Sequence, residues 1–105
     1  MTAQTTQPAS LPWLEKLIAI PTVSGTSNLE LIELIEAEFA RYGYSGVRTY
    51  NEDGTRANLL VTAPAADGTT RGGLILSGHT DVVPVAGQAW DADPFTLRVE
   101  GTRAY

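Results

Sequence analysis

The chain contains no cysteine, which excludes disulfide bridges, thiolate zinc sites and a cysteine nucleophile together. Any metal must therefore be held by nitrogen and oxygen. It has a single histidine, so a catalytic zinc, which takes about three protein ligands, would need carboxylates as well. Basic residues are scarce: seven Lys and Arg stand against twelve Asp and Glu, the net charge is -5, and no Lys/Arg cluster occurs. That balance repels phosphate backbones and argues against nucleic acid as a partner. Uninterrupted apolar runs such as Leu59-Leu60-Val61 fall far short of the roughly 18 residues that suggest a membrane span. Met1 to Ser10 carries no charged side chain and no apolar core, unlike a secretion signal. The expected compartment is the cytoplasm, with no membrane partner.

What is present fits one small soluble domain of 105 residues, 43% hydrophobic and 18% charged. A chain of this size buries roughly 60 to 70% of its surface on folding, so its core has little reserve. Residues 1–9 hold three Thr, two Gln and a Pro with almost nothing to bury, and are expected to be a disordered tail. The folded portion is expected over 10–105.

Ser10 stands where a helix cap belongs and Pro12 in the first turn, with Trp13, Leu14, Leu17 and Ile18 at helical spacing. Pro21 is expected to stop this helix near Ile20. Ser27 and Glu30 have the spacing of a capping box before a second helix, whose apolar stripe is Leu31, Ile32, Ile35, Phe39 and Tyr42. Gly43 is the expected left-handed terminus. Beyond Gly46 the period changes to alternation, and the Asp53-Gly54 turn separates two strands, the second carrying the Leu59 to Thr62 run. Leu74-Ile75-Leu76 is a short apolar run suited to a central strand buried on both faces. Phe95, Leu97 and Val99 alternate up to a Glu100-Gly101 turn and a short return strand. The expected class is α/β, with two helices packed on a mixed β-sheet.

The strongest local feature is His79-Thr80-Asp81 at the end of that central run. Positions i and i+2 of a strand share a face, so His79 and Asp81 project together from the edge where open α/β sheets place ligands. An aspartate that accepts the second N–H of an imidazole fixes its tautomer and raises its basicity toward a metal. The pair is thus half of a metal site, or else a satisfied polar pair at a strand end. Asp91 and Asp93 are the nearest further oxygens, and both also suit turns that hydrogen-bond local backbone. Ser24 and Ser77 sit in no nucleophile-elbow pattern, and Gly72, Gly73 and Gly78 build no phosphate loop. The glutamates of the second helix read as a solvated face.

The run Leu76-Ser77-Gly78-His79-Thr80-Asp81-Val82-Val83-Pro84, followed by Trp90 and Asp93-Pro94-Phe95, closely resembles the first metal motif of the zinc amidohydrolases of the M20 metallopeptidase family. Ile20-Pro21-Thr22-Val23-Ser24-Gly25, Ser27-Asn28-Leu29 and Thr55-Arg56-Ala57-Asn58-Leu59 narrow the resemblance to members that deacetylate an amino acid of arginine biosynthesis. Relatives acting on other succinylated or acylated amino acids share the His-Thr-Asp run. The resemblance implies a two-zinc site, with cobalt as an alternative metal, a small N-acyl amino acid substrate and a homodimeric enzyme. It assigns metal ligation to His79 and a catalytic, orienting role to Asp81. It also implies further ligands, a Glu-Glu pair and a dimerisation domain beyond the position of Tyr105. The expectation is therefore an amino-terminal piece of such an enzyme, inactive alone. The alternative is a small binding module that uses an exposed sheet edge.

Overall fold

The computed structural model describes residues 7–105. They form two compact units, one of Thr22–Val83 and one of residues 7–21 with Pro84–Tyr105. The expected tail over residues 1–9 lies largely outside the described residues. Two helices and two small antiparallel sheets make this a mixed α/β chain. Among the described residues a mixed sheet does not form: each sheet is a two-stranded antiparallel hairpin, and parallel pairing is confined to one bridge, Val23 to Val82.

In the unit of residues 7–21 and 84–105, helix α1 spans Ser10–Ile18. Ser10 lies inside the helix and Ala9 takes the cap position with no side-chain cap bond. The first turn is closed instead by main chain, Leu11 N donating to Pro8 O at 3.0 Å. The helix ends two residues before the expected Ile20, Ala19 N still donating to Glu15 O at 3.1 Å. None of its residues is buried, and Lys16 lies 4.9 Å from the Trp13 ring centre. The same unit holds strands β3 (Val99–Glu100) and β4 (Arg103–Ala104), paired around Gly101 at φ +60 as the turn predicts.

The other unit is built on helix α2 (Leu29–Arg41) and the hairpin of β1 (Gly46–Tyr50) and β2 (Ala57–Val61). The capping box does not form. Asn28, not Ser27, is the cap residue, and Ser27 Oγ accepts from Leu29 N at 3.3 Å. The far end follows expectation: Gly43 at φ +83 lets its own N–H reach Ala40 O at 3.0 Å and the Tyr44 N–H reach Phe39 O at 3.1 Å, satisfying two terminal carbonyls. The hairpin register pairs Gly46 with Val61 and Tyr50 with Ala57. Its turn is closed by Asn51 N donating to Arg56 O at 2.9 Å, with Gly54 at φ +72. Helix α2 packs on β2, and Glu36 on α2 pairs with Arg48 on β1, whose Nε donates to Glu36 Oε2 at 2.9 Å.

Among the described residues the buried apolar core is Leu31, Ile32 and Ala57. The stripe of α2 is only partly used: Phe39 and Tyr42 remain 39% and 66% exposed, because a hairpin two strands wide covers only part of the helix. Leu74-Ile75-Leu76 is the main correction to the expected fold. These residues form no strand and are 83 to 87% exposed. Their apolar pattern suits a central strand, but a strand exists only where neighbours accept its hydrogen bonds, and among the described residues no neighbour pairs with them.

Candidate functional site

Within the Thr22–Val83 unit, a cleft of about 880 Å³ has Ile32, Ile35, Leu59, His79 and Asp81 among its lining residues. The segment carrying His79 and Asp81 is held from Thr80 onward. Val82 N donates to Thr22 O at 3.0 Å and Ser24 N to Val82 O at 2.8 Å, which forms the parallel bridge of Val23 and Val82. The hydroxyl of Thr22, a buried residue, donates to Thr80 O. Asn28 Nδ2 donates to Thr80 Oγ1 at 3.1 Å and to Ala57 O at 2.9 Å. The residues between α1 and α2 thus act as a frame for the His-Thr-Asp run.

The structure brings the two expected residues together. Nδ1 of His79 lies 2.9 Å from Asp81 Oδ1 and 2.9 Å from Asp81 main-chain O. Both partners can only accept while the carboxylate is ionised, so Nδ1 carries the hydrogen. In the neutral ring Nε2 then holds the lone pair. The imidazole is 85% exposed and the Asp81 side chain 60%, so the pair is a surface feature at the cleft wall. Asp81 Oδ2 accepts from Ser24 Oγ at 2.7 Å. The Ser24 hydrogen bond, then that of His79, holds the Asp81 carboxyl below its ordinary pKa. It stays a carboxylate throughout the neutral range.

The order Ser24–Asp81–His79 differs from a nucleophilic triad, because the hydroxyl donates to the carboxylate and not to the imidazole. Its geometry orients a histidine; it does not activate a serine. Ser24 and Asn28 are the residues that local reading passes over. Their partners lie 57 and 29 positions away, and the only sequence signal was their place in the segments that carry the family resemblance.

Asp91 and Asp93 belong to the other unit. Asp93 acts as a turn former, Oδ1 accepting from Phe95 N at 2.9 Å and Oδ2 from Thr96 Oγ1 at 3.1 Å. Among the described residues no three His, Asp or Glu side chains gather to hold a metal ion. The donor set therefore offers a metal one nitrogen, His79 Nε2, on a ring whose Nδ1 faces a carboxylate.

The chain is 38% identical over 95 residues to the acetylornithine deacetylases of Salmonella arizonae, Salmonella paratyphi B and Salmonella newport. Its resemblance is to acetylornithine deacetylases. The match takes in 85% of this chain and 24% of each relative, so the chain spans about a quarter of the length of these deacetylases. No family model and no solved structure matches it. The names of these relatives describe hydrolases, and among the described residues no helix is long and apolar enough to cross a membrane.

Proposed function

We propose that the chain supplies the first metal-ligand motif of a zinc-dependent amidohydrolase that removes the acetyl group from N-acetylornithine in arginine biosynthesis. On this reading the enzyme is a cytoplasmic homodimer, its substrate is a small N-acyl amino acid, and the other ligands and the general base come from outside these residues. One observation carries the proposal. His79 donates Nδ1–H to the Asp81 carboxylate and keeps Nε2 free for a metal, in a chain whose relatives bear the deacetylase name.

His79 would hold a zinc ion through Nε2, and Asp81 would orient the ring and increase its electron density. Bound zinc supplies Lewis-acid polarisation of an amide carbonyl and a lowered pKa for its water. The residues present do the preparatory work. Hydrogen bonds from Ser24 and then His79 hold the Asp81 carboxyl below its ordinary pKa. The frame of Thr22, Ser24 and Asn28 holds residues 80–82 in place, immediately after His79.

The test is made in the complete enzyme by assaying N-acetylornithine hydrolysis across a zinc titration. His79→Ala is expected to lose metal and activity together. Asp81→Asn keeps the size but removes the charge, and is expected to cost about 10 to 100-fold in metal affinity or rate. Full rate and full metal content in Asp81→Asn would overturn the assignment.

A further inference from the structure

The orienting of His79 does not end at Asp81. An exposed carboxylate turns readily about its side-chain torsions, and Asp81 is 60% exposed. Its two oxygens are nevertheless committed to different partners, Oδ1 to His79 Nδ1 at 2.9 Å and Oδ2 to Ser24 Oγ at 2.7 Å. Ser24 Oγ also lies 3.2 Å from Val82 O. A hydroxyl has one hydrogen to give, and the shorter contact, to a charged acceptor, is the stronger.

Ser24 is itself fixed by main chain. Its N–H donates to Val82 O at 2.8 Å, while Val82 N donates to Thr22 O at 3.0 Å. The main-chain bonds on either side of Val23 therefore set where the Ser24 hydroxyl stands, and it stands against the carboxylate of the residue before Val82. A histidine ring in water favours the tautomer with hydrogen on Nε2, the reverse of the one the geometry requires. For a ring that is 85% exposed, the Nδ1–H form persists only while acceptors stand against Nδ1; these are Asp81 main-chain O and Oδ1, each at 2.9 Å, and the charged carboxylate, which Ser24 holds, is the stronger.

We infer that Ser24 is a positioning residue: by holding Oδ2 of Asp81 it keeps Oδ1 aimed at His79 Nδ1, and so keeps the hydrogen on Nδ1 and Nε2 free as a donor atom. The use of that atom toward a metal rests on the proposed function, but the tautomer is a property of the chain itself.

Because His79 is the one histidine of the sequence, imidazole 1H–15N correlation spectra of the 15N-labelled chain report a single ring. The measurement is made without metal or substrate, at alkaline pH. In the unsubstituted chain Nδ1 is expected to carry the hydrogen. Ser24→Ala is expected to lower the ratio of Nδ1–H to Nε2–H several-fold while the methyl signals of Ile32 stay in place. Ser24→Thr keeps the hydroxyl and is expected to restore the original ratio, a rescue that a purely structural role for Ser24 does not predict. Should Ser24→Ala lose the fold, the near-isosteric Ser24→Cys carries the same test, since a thiol donates weakly. An unchanged tautomer ratio in a folded Ala or Cys variant overturns the inference, as does an Nε2–H ring in the unsubstituted chain. A negative result of the variants leaves the proposed deacetylase activity standing, because that is read from hydrolysis and metal content.

Discussion

Asn28 and Ala57 exchange two hydrogen bonds: Asn28 Nδ2 donates to Ala57 O at 2.9 Å, and Ala57 N donates to Asn28 Oδ1 at 2.9 Å. A side-chain amide here does what a neighbouring strand does, satisfying both main-chain groups of a residue that is 5% exposed. Asn28→Ala leaves both groups buried without partners and is expected to lower stability by about 2 to 3 kcal/mol, read from urea midpoints. Asn28→Asp keeps the acceptor but sets a carboxylate oxygen against Ala57 O, and is expected to cost at least as much. A loss under about 0.5 kcal/mol for the alanine variant would mean that water replaces the amide.

Ile32, 2% exposed, is the most deeply buried large side chain among the described residues. Ile32→Ala is expected to cost about 2 to 5 kcal/mol and Ile32→Val about 0.5 to 1.5 kcal/mol. The larger loss approaches the whole stability of a small domain, about 5 kcal/mol at the low end. Circular dichroism on heating is expected to show a cooperative transition for the valine variant and a broad, uncooperative one for the alanine variant. Equal transitions in both would show that the core does not centre on this residue.

Features written within a few neighbours of each other were legible in the sequence. The Gly43 terminus, the Asp53-Gly54 turn and the hairpin around Gly101 each depend on a left-handed residue at a fixed local offset. His79 and Asp81, two positions apart, do come together as read, although the strand whose shared face was the reason for expecting it does not form. Leu74-Ile75-Leu76 was read as a buried strand because its composition states what a strand needs but not whether partners surround it. The Ser27 capping box failed to a competing arrangement: helix α2 begins one residue later, and the Asn28 amide reaches Ala57 and Thr80 instead of its own helix. Ser24 and Asn28 act across dozens of residues, and no spacing rule encodes that.

Glu36 offers a pH test away from the cleft. The hydrogen bond from Arg48 holds its carboxyl below the ordinary value, and the same pair raises the Arg48 guanidinium. A carboxyl whose folded pKa is depressed contributes stability that is fully present above its unfolded pKa of about 4.3 and is lost as pH falls through the folded value. Asp53, lowered by hydrogen bonds from Thr55, titrates in the same acid window. The difference between unsubstituted and Glu36→Gln urea midpoints isolates the first group. That difference is expected to be steady near neutrality and to shrink below about pH 4. A difference independent of pH would remove the ion pair from the stability of the fold.

Zinc affinity separates a whole metal site from a share of one. One imidazole with an orienting carboxylate cannot enclose an ion that prefers about four ligands. Calorimetric titration of the chain at neutral pH is expected to find no site tighter than the order of high micromolar, and His79→Ala is expected to abolish what binding there is. A stoichiometric nanomolar site would overturn the reading of His79 and Asp81 as only a share of a metal site.

The stretch from Leu74 to His79 makes no main-chain hydrogen bond among the described residues, whereas Val82 is bonded on both sides by Thr22 and Ser24. His79 is therefore tethered from one direction, like the last link of a chain fixed at its far end. Its amide and those of the preceding residues should exchange with solvent at rates near those of an unstructured peptide, while the Val82 amide is protected. It follows that any strand that pairs with Leu74-Ile75-Leu76 acts on His79 through entropy: it removes conformational freedom from the link without re-aiming it, because the aim is already set at Thr80 to Val82.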